Sequence, residues 1–525
     1  MTLPEKKNKD SYVLSMGRQA GVGLHFSALP GPHGIGDIAD SAFAFVDQMV
    51  EMGLGVWQFL PLGPTAYGDS PYQPLSAFAG NANLIGLQPL VRLGLLSEAE
   101  LEPLTELPTQ HVDYGRLIPI KRALLARAAE RLLGRQENGL KTEYEEFLHR
   151  HADRWLDDYA VFRVLKTAHG ERPWPEWEPD VVRRDPAALD RTRDRYRDSI
   201  EYTRITQFLF DRQWRRLRAY AGERGVCLFG DMPIYIALDS ADAWSRPELL
   251  LIDRGGQPSQ VAGVPPDYFS EDGQLWGNPL YDWGYHDQTG YRWWIERTAH
   301  AAEQAHLVRI DHFRGFESFW SVPFSEKTAK NGEWVPGPGD ELFFALEQAL
   351  GRLPIVAEDL GVITPEVDAL RNDHGIPGMV VLQFEVGDPD FEIDAVDPNS
   401  VCYTGTHDND TTVGWFAGAG DDTRTRKEIL QTRKAALECT GGSPETIHAD
   451  MIRLAYSTPS AIAMAPMQDY LGLGSEARFN IPGTTDNNWR WRLQNGALEP
   501  ALVEWVAEQV EAASRVPVQS LNCAV

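Results

Sequence analysis

Short apolar runs alternate with amphipathic stretches along most of the chain. Runs rich in aliphatic and aromatic residues begin near positions 22, 56, 226, 306, 355, 379, 400 and 461. Each is of strand length, and continuous apolar character suits strands covered on both faces, as in a parallel sheet. Between several runs the apolar positions recur at helical spacing. At 37–52, Phe43, Phe45, Val46, Met49 and Val50 form one side and Gly53 marks the end. Stretches 205–224 and 293–304 read the same way. This alternation predicts an α/β fold, and eight strand candidates are what a closed (β/α)8 TIM barrel requires. The sixth and seventh candidates lie too close together for a standard helix between them.

Two excursions interrupt the rhythm. Residues from about 90 to 202 predict a largely helical insertion, with helices over 121–134 and 143–165 and irregular, charged segments at 173–184 and 191–197. Residues about 238–290 predict a loop-rich region flanking a cleft. The expected organisation is one catalytic barrel spanning 1–525 with both insertions packed on it. No internal repeat or low-complexity tract is visible.

Three strand candidates end on acids. In 305–320, AHLVRIDHFRGFESFW, the run closes on Asp311, with Arg309 two residues earlier and so on the same strand face. A permanent cation there favours an ionised Asp311; a purely structural Arg–Asp pair would read alike. In 353–361, LPIVAEDLG, the run closes on Glu358 and Asp359, and in 400–410, SVCYTGTHDND, on His407 and Asp408. The carboxyl ends of the strands are where a barrel carries its chemistry, so three such endings in succession point to a catalytic cleft.

Composition narrows the ligand. The chain has 525 residues, 43% of them hydrophobic and 24% charged, with a formal net charge of −27. That field opposes nucleic acid and anionic membranes and leaves a neutral polyhydroxylated ligand unaffected. The 16 Trp, 17 Tyr and 21 Phe offer flat faces for sugar rings as well as core. Four scattered cysteines, Cys227, Cys402, Cys439 and Cys523, form no CxxC and suit a reducing, cytoplasmic setting. No secretory signal precedes residue 20, and no apolar stretch is long enough to span a bilayer.

Paired carboxylates suit retaining glycoside chemistry, in which a nucleophile and an acid/base stand about 5–5.5 Å apart. Asp311 beside Arg309 suits the nucleophile. Glu358, flanked by Ile355 and Val356, suits the group that must exist partly as an acid. Asp408 with His407 is left to hold the sugar and stabilise charge. A divalent-metal site of carboxylates and His is the competing chemistry, although few His stand at strand ends. A non-catalytic carbohydrate-binding scaffold would not need three converging acids.

The blocks RIDHFRG (309–315), AEDLG (357–361) and TGTHDN (404–409) resemble the active-site signatures of glycoside hydrolase family 77, the 4-α-glucanotransferases or amylomaltases. SPYQPLSAFAGN (70–81), GDMPIY (230–235), PPDYFSEDGQLWGNPLYDW (265–283) and FNIPGT (479–484) agree and stand in the family's order. The resemblance implies that Asp311 is the nucleophile, Glu358 the general acid/base and Asp408 the transition-state stabiliser. It implies that Arg309 and His407 contact the glucose whose bond is broken, that Asp231 helps to line that subsite, and that Tyr72 stacks on a sugar ring. Asp267, Gln274, Trp276 and Asn480 would line the glucan groove. The implied substrates are maltooligosaccharides and α-1,4-glucans, the implied reaction is transfer through a covalent glycosyl-enzyme, and no metal or organic cofactor is implied. An α-glucan hydrolase on the same barrel is the alternative. Ala82 and Asn83 depart from the family's usual Pro and apolar residue, and Phe479 from its frequent Met.

Overall fold

The computed structural model describes residues 11–135, 139–266, 271–418 and 424–517. Twelve strands are formed among them: β1 (Gln19–Gly23), β2 (Val56–Gln58), β3 (Cys227–Pro233), β4 (Gln260–Val264), β5 (Gln274–Pro279), β6 (Leu307–Asp311), β7 (Ser318–Pro323), β8 (Glu333–Pro336), β9 (Ile355–Ala357), β10 (Gly378–Val381), β11 (Ser400–Tyr403) and β12 (Ile462–Pro466). Eight of them form one parallel sheet in the order β10-β11-β12-β1-β2-β3-β6-β9. The two ends meet where the Ala357 amide donates to the Pro377 carbonyl at 2.8 Å. The result is a nearly closed (β/α)8 barrel, and all eight predicted strands take part in it.

The barrel interior explains the apolar runs. Val56, Phe229, Leu307, Val356, Val381, Val401 and Ile462 point inward and pack as one cluster, with Val13 and Met16 among them. Space is tight: a Cβ on Gly21 would lie 2.4 Å from Met464 Sδ and 2.8 Å from Val56 Cβ, so β1 needs glycine there. Outside, helices Asp40–Glu51, Arg197–Glu223, Arg292–Gln304, Asp340–Leu350 and Pro365–Asp373 cover successive strands. Trp57 lies between the layers, fully buried against Phe26 and Phe45, its Nε1 donating to the Leu24 carbonyl at 2.8 Å. Trp57→Ala should cost about 3–5 kcal/mol by cavity formation, read as a lowered denaturation midpoint at unchanged slope. A change under about 1 kcal/mol would mean the layers repack freely.

Several element boundaries differ from the sequence expectation. β10 ends at Val381, and the apolar run continues as the short helix Leu382–Glu385, which with one 3-10 turn is all that joins β10 to β11. Residues 191–197, expected to be irregular, fall in helix Pro186–Arg195 and at the start of the 27-residue helix Arg197–Glu223. Between β2 and that helix stand Tyr114–Leu133, Gly139–His151 and Asp157–Ala168. The 238–290 excursion supplies β4 and β5, which join β7 and β8 in an antiparallel sheet of order β5-β4-β7-β8. That sheet stands beside the carboxyl end of β6. No helix among the described residues is long and apolar enough to cross a membrane.

Candidate active site

Arg309 and Asp231 are register partners on β6 and β3, so their side chains meet inside the mouth of the barrel. Arg309 Nη1 donates to both Asp231 oxygens at 2.9 and 2.8 Å, and Nη2 donates to Asp311 Oδ1 at 2.8 Å. One guanidinium thus binds a fully buried carboxylate with one nitrogen and a cleft-facing carboxylate with the other. The buried member fixes the cation, and the cation fixes the rotamer of Asp311. Burial pushes the Asp231 carboxyl upward, Arg309 opposes that push without cancelling it, and Asp311 adds to it. Tyr72 Oη also donates to Asp231, at 2.7 Å. Its phenol keeps its proton, because burial and the neighbouring carboxylate both raise its pKa.

Glu358 follows β9, the next strand round the barrel. Its Oε2 accepts from the His312 amide at 2.6 Å and its Oε1 from the Leu360 amide at 3.0 Å. His312 presents that amide from a left-handed conformation (φ 54°), unusual for a side-chain-bearing residue and a form of strain common at active sites. Withdrawal of water pushes the Glu358 carboxyl up to about 7. Arg309 pulls it down, Asp311 pushes it up, and the two amides pull it down.

The third acid sits across the mouth, after β11. Asp408 Oδ1 accepts from Asn480 Nδ2 at 2.6 Å, and its Oδ2 lies 3.4 Å from His407 Nε2. The His407 ring stacks on Tyr72 with centroids 5.2 Å apart and planes 11° apart. Contacts therefore run from Asp408 through His407, Tyr72, Asp231 and Arg309 to Asp311, spanning both sides of the mouth. Of the expected groove residues, Asn480 is engaged with Asp408. Trp276 and Gln274 stand on β5, where Trp276 Nε1 donates to Gln274 Oε1 at 3.2 Å. The Trp276 ring meets His312 edge-on at 4.7 Å, which sets it beside Glu358. Asp267 lies outside the described residues.

Two contributors escaped the sequence reading. Arg478 Nη2 donates to the Asp408 carbonyl and its Nε to the Asn480 carbonyl, each at 2.8 Å, so it clamps two loops. Its place two residues before Asn480 was the only hint. His25, after β1, lines a cavity of about 60 Å³ with Arg309, His407 and Tyr403, and burial pushes its imidazole down to about 3. Nothing in its local pattern marks it.

A parallel barrel holding an Arg–Asp pair and three further acids at its mouth defines the class of barrel enzymes that work on glycosidic bonds. A family model described as 4-alpha-glucanotransferase, that of glycoside hydrolase family 77, matches residues 24–498. The chain is 47% identical over 481 residues to the 4-alpha-glucanotransferase of Synechocystis sp., covering 90% of this chain and 94% of that one. It is 43% identical over 509 residues to that of Thermus thermophilus, covering 96% and 100%. The structure of amylomaltase from Streptococcus agalactiae in complex with acarbose superimposes with a TM-score of 0.90 at 36% identity, covering 95% of this chain and 100% of that one. The chain belongs to glycoside hydrolase family 77, the 4-alpha-glucanotransferases.

Proposed function

We propose that the protein transfers α-1,4-glucan segments from a donor maltooligosaccharide to the 4-hydroxyl of an acceptor glucose or glucan, with retention at the anomeric carbon. Family membership supports the reaction. The observation that carries the residue roles is the different tethering of the two central carboxyls: Asp311 on a guanidinium, Glu358 on two amides with its pKa raised. Asp311 attacks C1 of the donor while the Glu358 proton passes to the departing glycosidic oxygen. In the second half, the Glu358 carboxylate takes the proton of the acceptor's 4-hydroxyl, that oxygen attacks C1, and the Asp311–C1 bond breaks. Both halves pass through oxocarbenium-like transition states. Asp408, held by Asn480, and His407 would grip hydroxyls of the reacting glucose, and Tyr72 would offer it the face turned away from His407. Asp231 holds Arg309 in place.

Incubation with maltotriose, followed by separation of the products, tests the reading. Glucose plus a ladder of longer maltooligosaccharides is expected; glucose and maltose alone would make it a hydrolase. We also place the enzyme in the cytoplasm, a reading supported by the absence of any disulfide among the described cysteines.

The raised Glu358 sets a pH limit. The leaving oxygen needs its proton, so kcat/KM on maltotriose should fall tenfold per pH unit above about 7. Arg309→Met removes a cation that pulls this pKa down and should move the limb upward. A limb unmoved in that variant would assign it to another group.

Transfer also requires that water be kept from the glycosyl-enzyme while an acceptor is held in line. Trp276, against His312 and hence beside Glu358, is placed to do this. Trp276→Ala should raise the ratio of hydrolysis to transfer several-fold, read from released glucose and reducing ends in one reaction. An unchanged ratio with uniformly slower rates would make Trp276 a substrate clamp only.

A further inference from the structure

A second cavity, of about 680 Å³, opens on the outer side of the barrel, where helix Gly139–His151 and the turn after it meet helices Arg197–Glu223 and Arg292–Gln304. None of Asp311, Glu358 and Asp408 lines it. The volume falls within the range of small-molecule sites and exceeds what a few waters fill. Its wall holds two pairs of nearly parallel rings: Phe78 with Trp155 (6.5 Å, 13°) and Phe210 with Trp214 (6.4 Å, 10°). Flat apolar surface of this kind matches the faces of a pyranose ring.

The polar lining is balanced in charge. Arg150, Arg215 and Arg218 offset Asp211, Glu223 and Glu303, which supplies donors and acceptors without favouring an anion or a cation. Two histidines of the lining, His151 and His300, are themselves buried. His151 Nδ1 accepts from Trp155 Nε1 at 3.3 Å, so Nε2 carries the hydrogen, and that atom has no partner among the described residues. His300 Nε2 lies 2.9 Å from both the Phe78 carbonyl and Gln304 Nε2, and its Nδ1 is also without a partner among them. Burial keeps both rings neutral, at about 3 and about 4. A neutral ligand with flat faces and hydroxyls around its edge fits this lining better than an ion or a purely apolar group.

We infer that this cavity is a second carbohydrate site, taking one or two glucosyl units of an α-glucan away from the carboxylates that make and break bonds. The inference rests on the α-glucan reading above for the identity of the sugar. The site would hold part of a long glucan while another part occupies the barrel mouth, and so raise its local concentration there. The walls are tied to the catalytic supports: the Gln207 amide bonds both N–H and C=O of Gly80, at 2.8 and 2.9 Å, in the loop that carries Tyr72.

Hydrogen exchange on the full chain tests this, with maltotriose as the probe and Asp311→Asn present so that the sugar is not rearranged. At ten times Kd, peptides spanning 147–155 and 207–222 should exchange up to about tenfold more slowly, in addition to peptides of the barrel mouth. Ala219 is exposed and lines the cavity, so Ala219→Trp fills the mouth of the cavity without removing a core contact. In that variant the helix protection should vanish while protection at the barrel mouth persists. In the otherwise native chain, Ala219→Trp should leave kcat/KM on maltotriose unchanged and raise KM for long amylose. Protection confined to the barrel mouth, or helix protection that survives Ala219→Trp, overturns the inference alone. No protection anywhere overturns the α-glucan reading with it.

Discussion

Asp311→Asn is expected to reduce transfer from maltotriose by on the order of 10⁴-fold or more, with no glycosyl-enzyme formed. An amide is too weak a nucleophile to displace the leaving sugar, and nucleophile knockouts are among the largest single losses in enzymes. The substitution is nearly isosteric and leaves an oxygen to accept from Arg309 Nη2, now 2.8 Å from Asp311 Oδ1. Asp231 still holds the other nitrogen of the guanidinium, so the fold and sugar binding should persist. The variant should therefore bind maltotriose normally and do nothing with it. Activity within tenfold of the parent would remove Asp311 from the role.

Glu358→Gln should lose about 10²–10⁴-fold on maltotriose, the usual scale of acid–base help. The loss should depend on the leaving group. A glucosyl or maltosyl fluoride departs without a proton, so formation of the glycosyl-enzyme should return towards the parent rate. Its breakdown should stay slow, because no carboxylate remains to take the acceptor's proton, and the intermediate should accumulate. Equal losses with maltotriose and with the fluoride would show that Glu358 acts by position or charge and not by moving a proton.

The barrel was legible in the sequence because strands covered on both faces leave continuous apolar runs that need no partner to be recognised. The same property hid the end of β10: Leu382 and Gln383 are buried as the strand is, and composition does not separate a buried strand from a buried helical turn. Residues 191–197 read as irregular because a charged, largely exposed stretch of helix on a large protein leaves little apolar period. The β5-β4-β7-β8 sheet was missed for another reason. β7 pairs with β4 across some sixty residues, and β8 is short and largely exposed, so no local period announces either.

The site was legible in part. Arg309 beside Asp311 follows from spacing on one strand, and the acid endings mark Glu358 and Asp408. The meeting of Tyr72, Asp231 and Arg309 does not follow from spacing, since 159 and 78 residues separate the bonded pairs. The family resemblance set all three at the sugar subsites without foretelling that they bond one another. The hold of Arg478 on the Asp408 loop needed coordinates, because a carbonyl acceptor leaves no trace in sequence.

The roles of the two central carboxyls are tested together by trapping the covalent intermediate. Glu358→Gln is incubated with maltosyl fluoride, quenched in acid, digested and read by mass spectrometry. One added maltosyl mass is expected, on the peptide that carries Asp311 and on Asp311 itself. A maltosyl group on any other residue, or transfer products formed without a labelled peptide, would contradict it.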